Sequence, residues 1–349
     1  MPLLRRFGPP EERAGEPERA GLEESLAYAR ELTTSHYENF SVLSRLVPER
    51  VRPDVAAIYA YCRWSDDLAD ETGSDEAART RSLRLLSWWR GELESCHRSA
   101  SDPEREPPSH PVFVALRETI RTHRLPIEPF SHLLDAFEQD QRVTRYETWD
   151  ELVAYCTGSA DPVGRLVLAL AGHEPAKAPL PRGTPAPEQD PGGLIAMSDA
   201  TCTALQLTNF WQDVRRDLVE RDRVYLPSRE FLDTEPDELA GTLRVWLDRP
   251  NDPAVRVPFI KAMRPLSART QALFDSGSAL PKTMRAHRLG DFAPMVGLFA
   301  AGGRSVLAIV ESIGGATLWR RPTLSKPRKA LLLLNATIGG MTTRRANTP

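Results

Sequence analysis

The chain has 349 residues, 41% hydrophobic and 27% charged, with 48 acidic against 45 basic side chains and a net charge of −3. That is ordinary globular composition, and the charge balance argues against a nucleic-acid binder, which carries a basic excess or stripe. No stretch offers the roughly 18 apolar residues of a membrane span: PMVGLFAAGGRSVLAIV is interrupted by Arg304, and ALLLLNATIGG is short. In chain order, MPLLRRFGPPEERAGEPERAG lacks the apolar run of a signal peptide and reads as a disordered tail over residues 1–21. Helical periodicity then predicts helices at 22–34, 53–70, 75–98, 110–123, 127–142, 148–172, 196–219, 236–247, 253–276, 281–287, 291–314 and 325–338. Prolines at 48, 53, 126, 227 and 322 punctuate them, and no alternating β-branched run bounded by hairpin turns occurs. The fold class is therefore all-α. SASDPEREPPSHP (99–111) reads as a polar linker, and the Pro/Gly-rich segment 174–193 as a solvated loop insertion. The four cysteines, at 62, 96, 156 and 202, form no CxxC pair or zinc spacing and read as buried thiols in a reducing compartment.

Two acidic stretches stand out. In YAYCRWSDDLADE (59–71), Asp66 and Asp70 fall one helical turn apart, about 6 Å along the axis. Tyr59 and Arg63 share their stripe, while Trp64 points away and reads as a packing residue. Alone, this is a solvated helix end with Arg63 pairing to Asp66. The alternative is a Mg²⁺ site, since Mg²⁺ takes one or two carboxylates and completes its octahedron with water and phosphate.

The second stretch, LQLTNFWQDVRRDLVERDRVYLP (205–227), spaces Asn209, Asp213 and Asp217 at i, i+4, i+8, with Gln206 one turn earlier. These are oxygen ligands suited to a hard cation. Arg223 and Tyr225 follow at the segment's end, within reach of a bound phosphate oxygen. If two such helices face each other across a bundle, they make a cavity with opposed metal-ligating walls, and cation and diphosphate neutralise the acidic charge.

The patterns YxxCRxxDDxxDE and QLxNxxxDVxxD…RxYLP, in that order, resemble the squalene/phytoene synthase type of trans-isoprenyl diphosphate synthase, over about residues 35–334. The resemblance implies a single-domain isoprenoid synthase helical bundle over residues 22–340, around a central cavity. It implies that Asp66 and Asp70, with Asn209, Asp213 and Asp217, hold two or three Mg²⁺ ions against a prenyl diphosphate. SHYENF matches the stretch that sets His36 and Phe40 at the cavity mouth, and YCTGSADPVGR matches a kinked cavity-lining helix with Tyr155 and Gly164 at the family's positions. Arg63 and Arg223 would steady charge on the leaving diphosphate, and Phe40, Tyr155 and Phe210 would face a carbocation with their rings.

Departures bear on the reaction. Head-to-head condensing enzymes usually carry Arg just before the first Asp of the second motif; this chain has Gln212, and it reads SADPVG where they run to TVG. HYENF, SADPVGR and NFWQD look most like bacterial hydroxysqualene synthases of hopanoid biosynthesis, which turn presqualene diphosphate and water into hydroxysqualene and diphosphate. Losing one positive charge at 212 suits an enzyme holding one diphosphate rather than two. No strand–GxGxxG–helix unit exists, and no NADPH is expected. Family members often have a tyrosine near the position of Gly303. Alternatives are condensation of farnesyl diphosphate to presqualene diphosphate or squalene, condensation of geranylgeranyl diphosphate to phytoene, and a non-catalytic scaffold homologue, against which the intact aspartates count. The basic WRRPTLSKPRK (319–329) reads as solvated surface or as contact for diphosphate or an anionic membrane. The expected setting is cytoplasmic, with room for contact with the inner membrane face and with neighbouring squalene-pathway enzymes.

Overall fold

The computed structural model describes residues 4–15, 19–35, 46–70, 72–73, 75–102, 104–173, 190, 193–325, 327–329 and 332. Its contacts divide the chain into two compact units, residues 1–142 with 166–178 and residues 143–165 with 179–349. Helices dominate both, as the periodicity predicts.

In the first unit, α1 (Leu4–Phe7) and α2 (Leu22–Ser35) precede a 3-10 turn at Glu49–Val51 that leads into α3 (Arg52–Asp70). Then come α4 (Glu76–Ser101), α5 (Pro111–His123) and α6 (Glu128–Gln139). Pro53 sits in the first turn of α3, where its missing N–H costs nothing. Ala57, Ala60, Tyr61, Trp64 and Leu68 form the buried face of α3, spaced at three and four residues. Trp64 stacks on Trp89 at 5.3 Å, and the Trp89 indole donates to Ser65 Oγ at 3.0 Å. The Tyr61 hydroxyl donates to the Phe130 carbonyl at 2.9 Å. Each such ring removes roughly 150–250 Å² from water, so this face, opposite the acidic stripe, anchors the helix. Trp64 is thus the packing residue its position predicts.

The expectation of a disordered tail fails for residues 4–15. Leu4 and Phe7 are buried, Phe7 meets the His110 ring edge-on at 5.5 Å, and Arg81 donates two hydrogen bonds to the Glu12 carboxylate. Two apolar side chains one turn apart supply the anchor that the segment's charge and prolines conceal.

The second unit begins with β1 (Arg145–Tyr146) and α7 (Trp149–Ser159), the latter opened by a reciprocal Thr148–Glu151 capping box. The helix predicted at 148–172 is two: α8 spans Asp161–Ala171, its first five residues in this unit. Pro162, without an N–H and restricting the residue before it, explains the break at Ala160. The long α9 (Leu194–Glu220) follows, then β2 (Val224–Pro227), α10 (Ser228–Leu232) and α11 (Pro236–Trp246). Last come α12 (Pro253–Ser276), α13 (Leu280–Ala286) and α14 (Ala293–Ser312). β1 and β2 pair in parallel, Arg145 opposite Val224, a two-stranded feature too short for periodicity to reveal. α9 packs against α7, α12, α13 and α14. By length and composition alone α14, at mean hydropathy 1.6, would suffice to cross a membrane. Its Arg304 pairs with Asp275 of α12 at 2.7 Å, and Met295, Leu298, Leu307 and Val310 are buried.

Candidate active site

On α3 of the first unit, Tyr59, Arg63, Asp66 and Asp70 are all half-buried, set by the aromatic anchor on the other face. Arg63 Nη1 lies 3.4 Å from Asp66 Oδ2, the pairing its spacing predicts. Its other terminal nitrogen pairs with Asp67, a residue the sequence reading leaves out. Burial pulls the Arg63 guanidinium down, but Asp67 and Asp66 outweigh it and hold its pKa above the ordinary value. Arg63 is therefore a fixed cation serving two carboxylates, with Asp70 a turn beyond on the same stripe.

In the second unit, α9 carries Gln206 half-buried, Asn209 exposed, and Asp213 and Asp217 buried at 4% and 6% exposure. Two carboxylates one turn apart and out of water are costly without a cation. Burial, then the neighbouring Asp213 charge, pushes Asp217 up to about 7, against the opposing pull of Arg221, Arg216 and Arg223. Arg221 and Arg216 stand 3.7 Å from Asp217 and Asp213 respectively. Arg321, from the segment after α14, sets Nε 2.5 Å from Asp213 Oδ1 and Nη2 3.1 Å from Oδ2. Beside it the Gln212 amide donates to the Pro322 carbonyl at 2.6 Å. The positive charge missing from position 212 is thus restored in space, and the expectation that Gln212 lightens the charge at this end is corrected.

The chain leaves α9 tightly. The Arg223 backbone N–H donates to the Asp217 carbonyl at 2.9 Å, and β2 begins at once. This turn buries Arg223 and brings Tyr225 flat against Phe210, centroids 4.0 Å apart and planes 6° off parallel. Tyr155 of α7 lies 5.8 Å from Tyr225 and 6.0 Å from Phe210. Tyr146 of β1, not foreseen from the sequence, completes the group at 5.6 Å from Tyr155 and 5.8 Å from Tyr225. Four rings thus gather beside the acidic end of α9.

Two glycines carry packing meaning. A Cβ on Gly164 would sit 2.3 Å from Ser198 Oγ and 2.6 Å from Cys202 Sγ, so α8 approaches α9 only as glycine. A Cβ on Gly303 would sit 2.4 Å from Leu205 Cδ2 and 2.7 Å from Phe274 Cζ, which leaves no room for a tyrosine. His36 and Phe40 lie outside the described residues.

Among the described residues no three His, Cys, Asp or Glu side chains are gathered as a metal cluster. Each motif instead offers oxygen donors alone: Asp66 with Asp70, and Asn209 with Asp213 and Asp217. That set suits Mg²⁺, which completes its shell with water and phosphate. At Asp213 a guanidinium already stands where a cation would, so the donors fit the ion. Of the residues missed, Asp67 was visible as the second Asp of the doublet and Arg321 as part of the basic run. Tyr146 left no signal, because a two-residue strand has no period.

The squalene/phytoene synthase family model matches residues 33–328. A hydroxysqualene synthase from Zymomonas mobilis is 32% identical over 255 residues, 72% of this chain and 73% of its own length. A 15-cis-phytoene synthase from Synechococcus elongatus is 31% identical over 212 residues, 61% of this chain and 64% of its own. Among solved structures, squalene synthase HpnC from Alicyclobacillus acidocaldarius is 35% identical, with a TM-score of 0.64, covering 84% of this chain and 95% of that one.

Proposed function

Because the chain belongs to the squalene/phytoene synthase family and has the all-α isoprenoid synthase fold, we infer that it is a hydroxysqualene synthase, converting presqualene diphosphate and water to hydroxysqualene and diphosphate. The observation that carries the chemistry is the buried Asp213–Asp217 pair, ringed by arginines and flanked by four aromatic rings. The similarity to hydroxysqualene synthases, together with SADPVGR and NFWQD, supports the branch.

In this reading Asp66 and Asp70, and Asn209, Asp213 and Asp217, hold two or three Mg²⁺ ions, and Gln206, Tyr59 and His36 with Phe40 contact substrate. Mg²⁺, when bound, supplies Lewis-acid stabilisation of the departing diphosphate. Arg63, fixed by Asp66 and Asp67, and the buried Arg223 offer guanidinium donors to its oxygens as charge develops. Phe210 and Tyr225 are stacked on each other and buried, so they exclude water, and their outer π-faces are aromatic surface that stabilises a carbocation. Tyr155 and Tyr146 extend that surface. One water adds last, and no side chain is assigned as its base. Hydride delivery by NADPH is not part of this reaction. The substrate is a lipid, so the catalytic domain, residues 22–340, works in the cytoplasm at the inner membrane face beside the enzymes that supply and consume such lipids.

Supplying presqualene diphosphate and farnesyl diphosphate separately, with Mg²⁺ and no NADPH, tests the branch. An alcohol formed only from the first is expected. Efficient condensation of the second would replace this reading by head-to-head synthesis, the alternative that the likeness to a phytoene synthase favours. Asp66→Asn and Asp213→Asn should each lower turnover on the order of 100-fold or more, while circular dichroism stays unchanged.

A further inference from the structure

The segment after α14 is pinned at one end and reaches the second acidic motif at the other. Ala316, Thr317 and Leu318 are buried, and the Trp319 indole donates to the Trp246 carbonyl at 2.9 Å and meets Phe259 edge-on at 5.2 Å. Three residues further on, Pro322 is buried and its carbonyl accepts the Gln212 amide. Between these anchors Arg321 lays its fork on both oxygens of Asp213. The two partners differ in environment: the Asp213 side chain is 5% exposed and that of Arg321 54%.

We propose that residues 319–322 form a strap in which Arg321 is the resident counter-cation of Asp213, and that a divalent cation loading on this motif displaces it. The proposal rests on the second motif being a metal site. Both Asp213 oxygens are taken by the fork, and Asp217 lies one turn away, so a dication engaging this pair comes within a few ångströms of the guanidinium and repels it. Asp213 cannot leave, being held in the core of α9. Arg321 can, since its side chain is already about half exposed and little is lost on full hydration. The neutral Gln212 belongs to the same device: it holds the Pro322 carbonyl, and an arginine there would set a like charge beside Arg321. The strap thus keeps two buried carboxylates compensated before the metal arrives and couples loading to release of the segment.

Mn²⁺ binding to the full chain at pH 8, without substrate, tests this by calorimetry and electron spin resonance. The site lost in Asp213→Asn is the reporter. In Arg321→Gln that site should bind Mn²⁺ roughly tenfold tighter, the scale of one charge-assisted pair, and in Arg321→Lys by an intermediate factor. In the wild type, hydrogen exchange over residues 320–325 should speed up on adding Mg²⁺ alone. Equal or weaker binding in Arg321→Gln, or exchange unchanged or slowed while metal binds, would overturn the strap and leave the metal site standing. Absence of any binding that Asp213→Asn removes would overturn both.

Discussion

Gly303 illustrates how much a single atom decides. It lies on α14 where that helix closes on α9 and α12, and any side chain there meets Leu205 and Phe274 inside van der Waals distance. Gly303→Ala should destabilise the chain by about 1–3 kcal/mol, the usual cost of overpacking, seen as a lower urea midpoint at unchanged slope. An unchanged midpoint would mean the two helices separate freely. From the sequence this glycine registered only as a missing tyrosine; its partners, about 100 and 30 residues away along the chain, are set by tertiary packing and leave no local trace. The same holds at position 212. The residue type was legible, but its amide's hold on Pro322, and the guanidinium that arrives with it, belong to a segment 110 residues on.

At the scale of elements, the N-terminus of α5 gives a pH prediction. His110 caps this helix, Nδ1 accepting from the Val112 N–H at 3.2 Å, so the ring proton resides on Nε2. Nε2 has no hydrogen-bond partner among the described residues and faces an aromatic cage, with Trp64 at 4.6 Å, Trp89 at 4.9 Å and Phe7 at 5.5 Å, all edge-on. Burial pushes its pKa from 6.5 down to about 3. A lowered value means the unfolded chain takes up the proton first. The stability from the neutral ring is therefore complete above pH 6.5 and is lost as pH falls towards 3, by about 1.4 kcal/mol per unit. His110→Asn keeps a capping oxygen without a titrating group, so its urea stability should lack this slope; parallel wild-type and variant curves from pH 6.5 to 4.5 would refute the assignment. Elements were legible where they are long and amphipathic, as α3, α4, α9 and α12 are. They were not where Pro162 splits a continuous apolar pattern, where β1 has two residues, or where α1 hides two anchoring side chains among charges.

For the whole molecule, the family and its two acidic motifs were readable because both motifs set fixed oxygen-bearing residue types at helical spacing, whereas the choice of reaction depends on cavity shape, which spacing does not encode. A global prediction follows from linkage. On the proposed reading Mg²⁺ with inorganic pyrophosphate binds the folded chain and not the unfolded one, so together, at about 100 times their dissociation constant, they should add roughly 2.7 kcal/mol and raise the melting temperature by several degrees. Chelation should reverse the gain, and Asp213→Asn should abolish most of it; an equal rise in that variant would remove the second motif from the binding site. The burial of Leu4 and Phe7, the latter against His110, has a consequence for biosynthesis. Both residues leave the ribosome long before α5, against whose N-cap Phe7 rests, has been made. Until then their apolar side chains travel without partners on the nascent chain, so they seat only once α5 has been made.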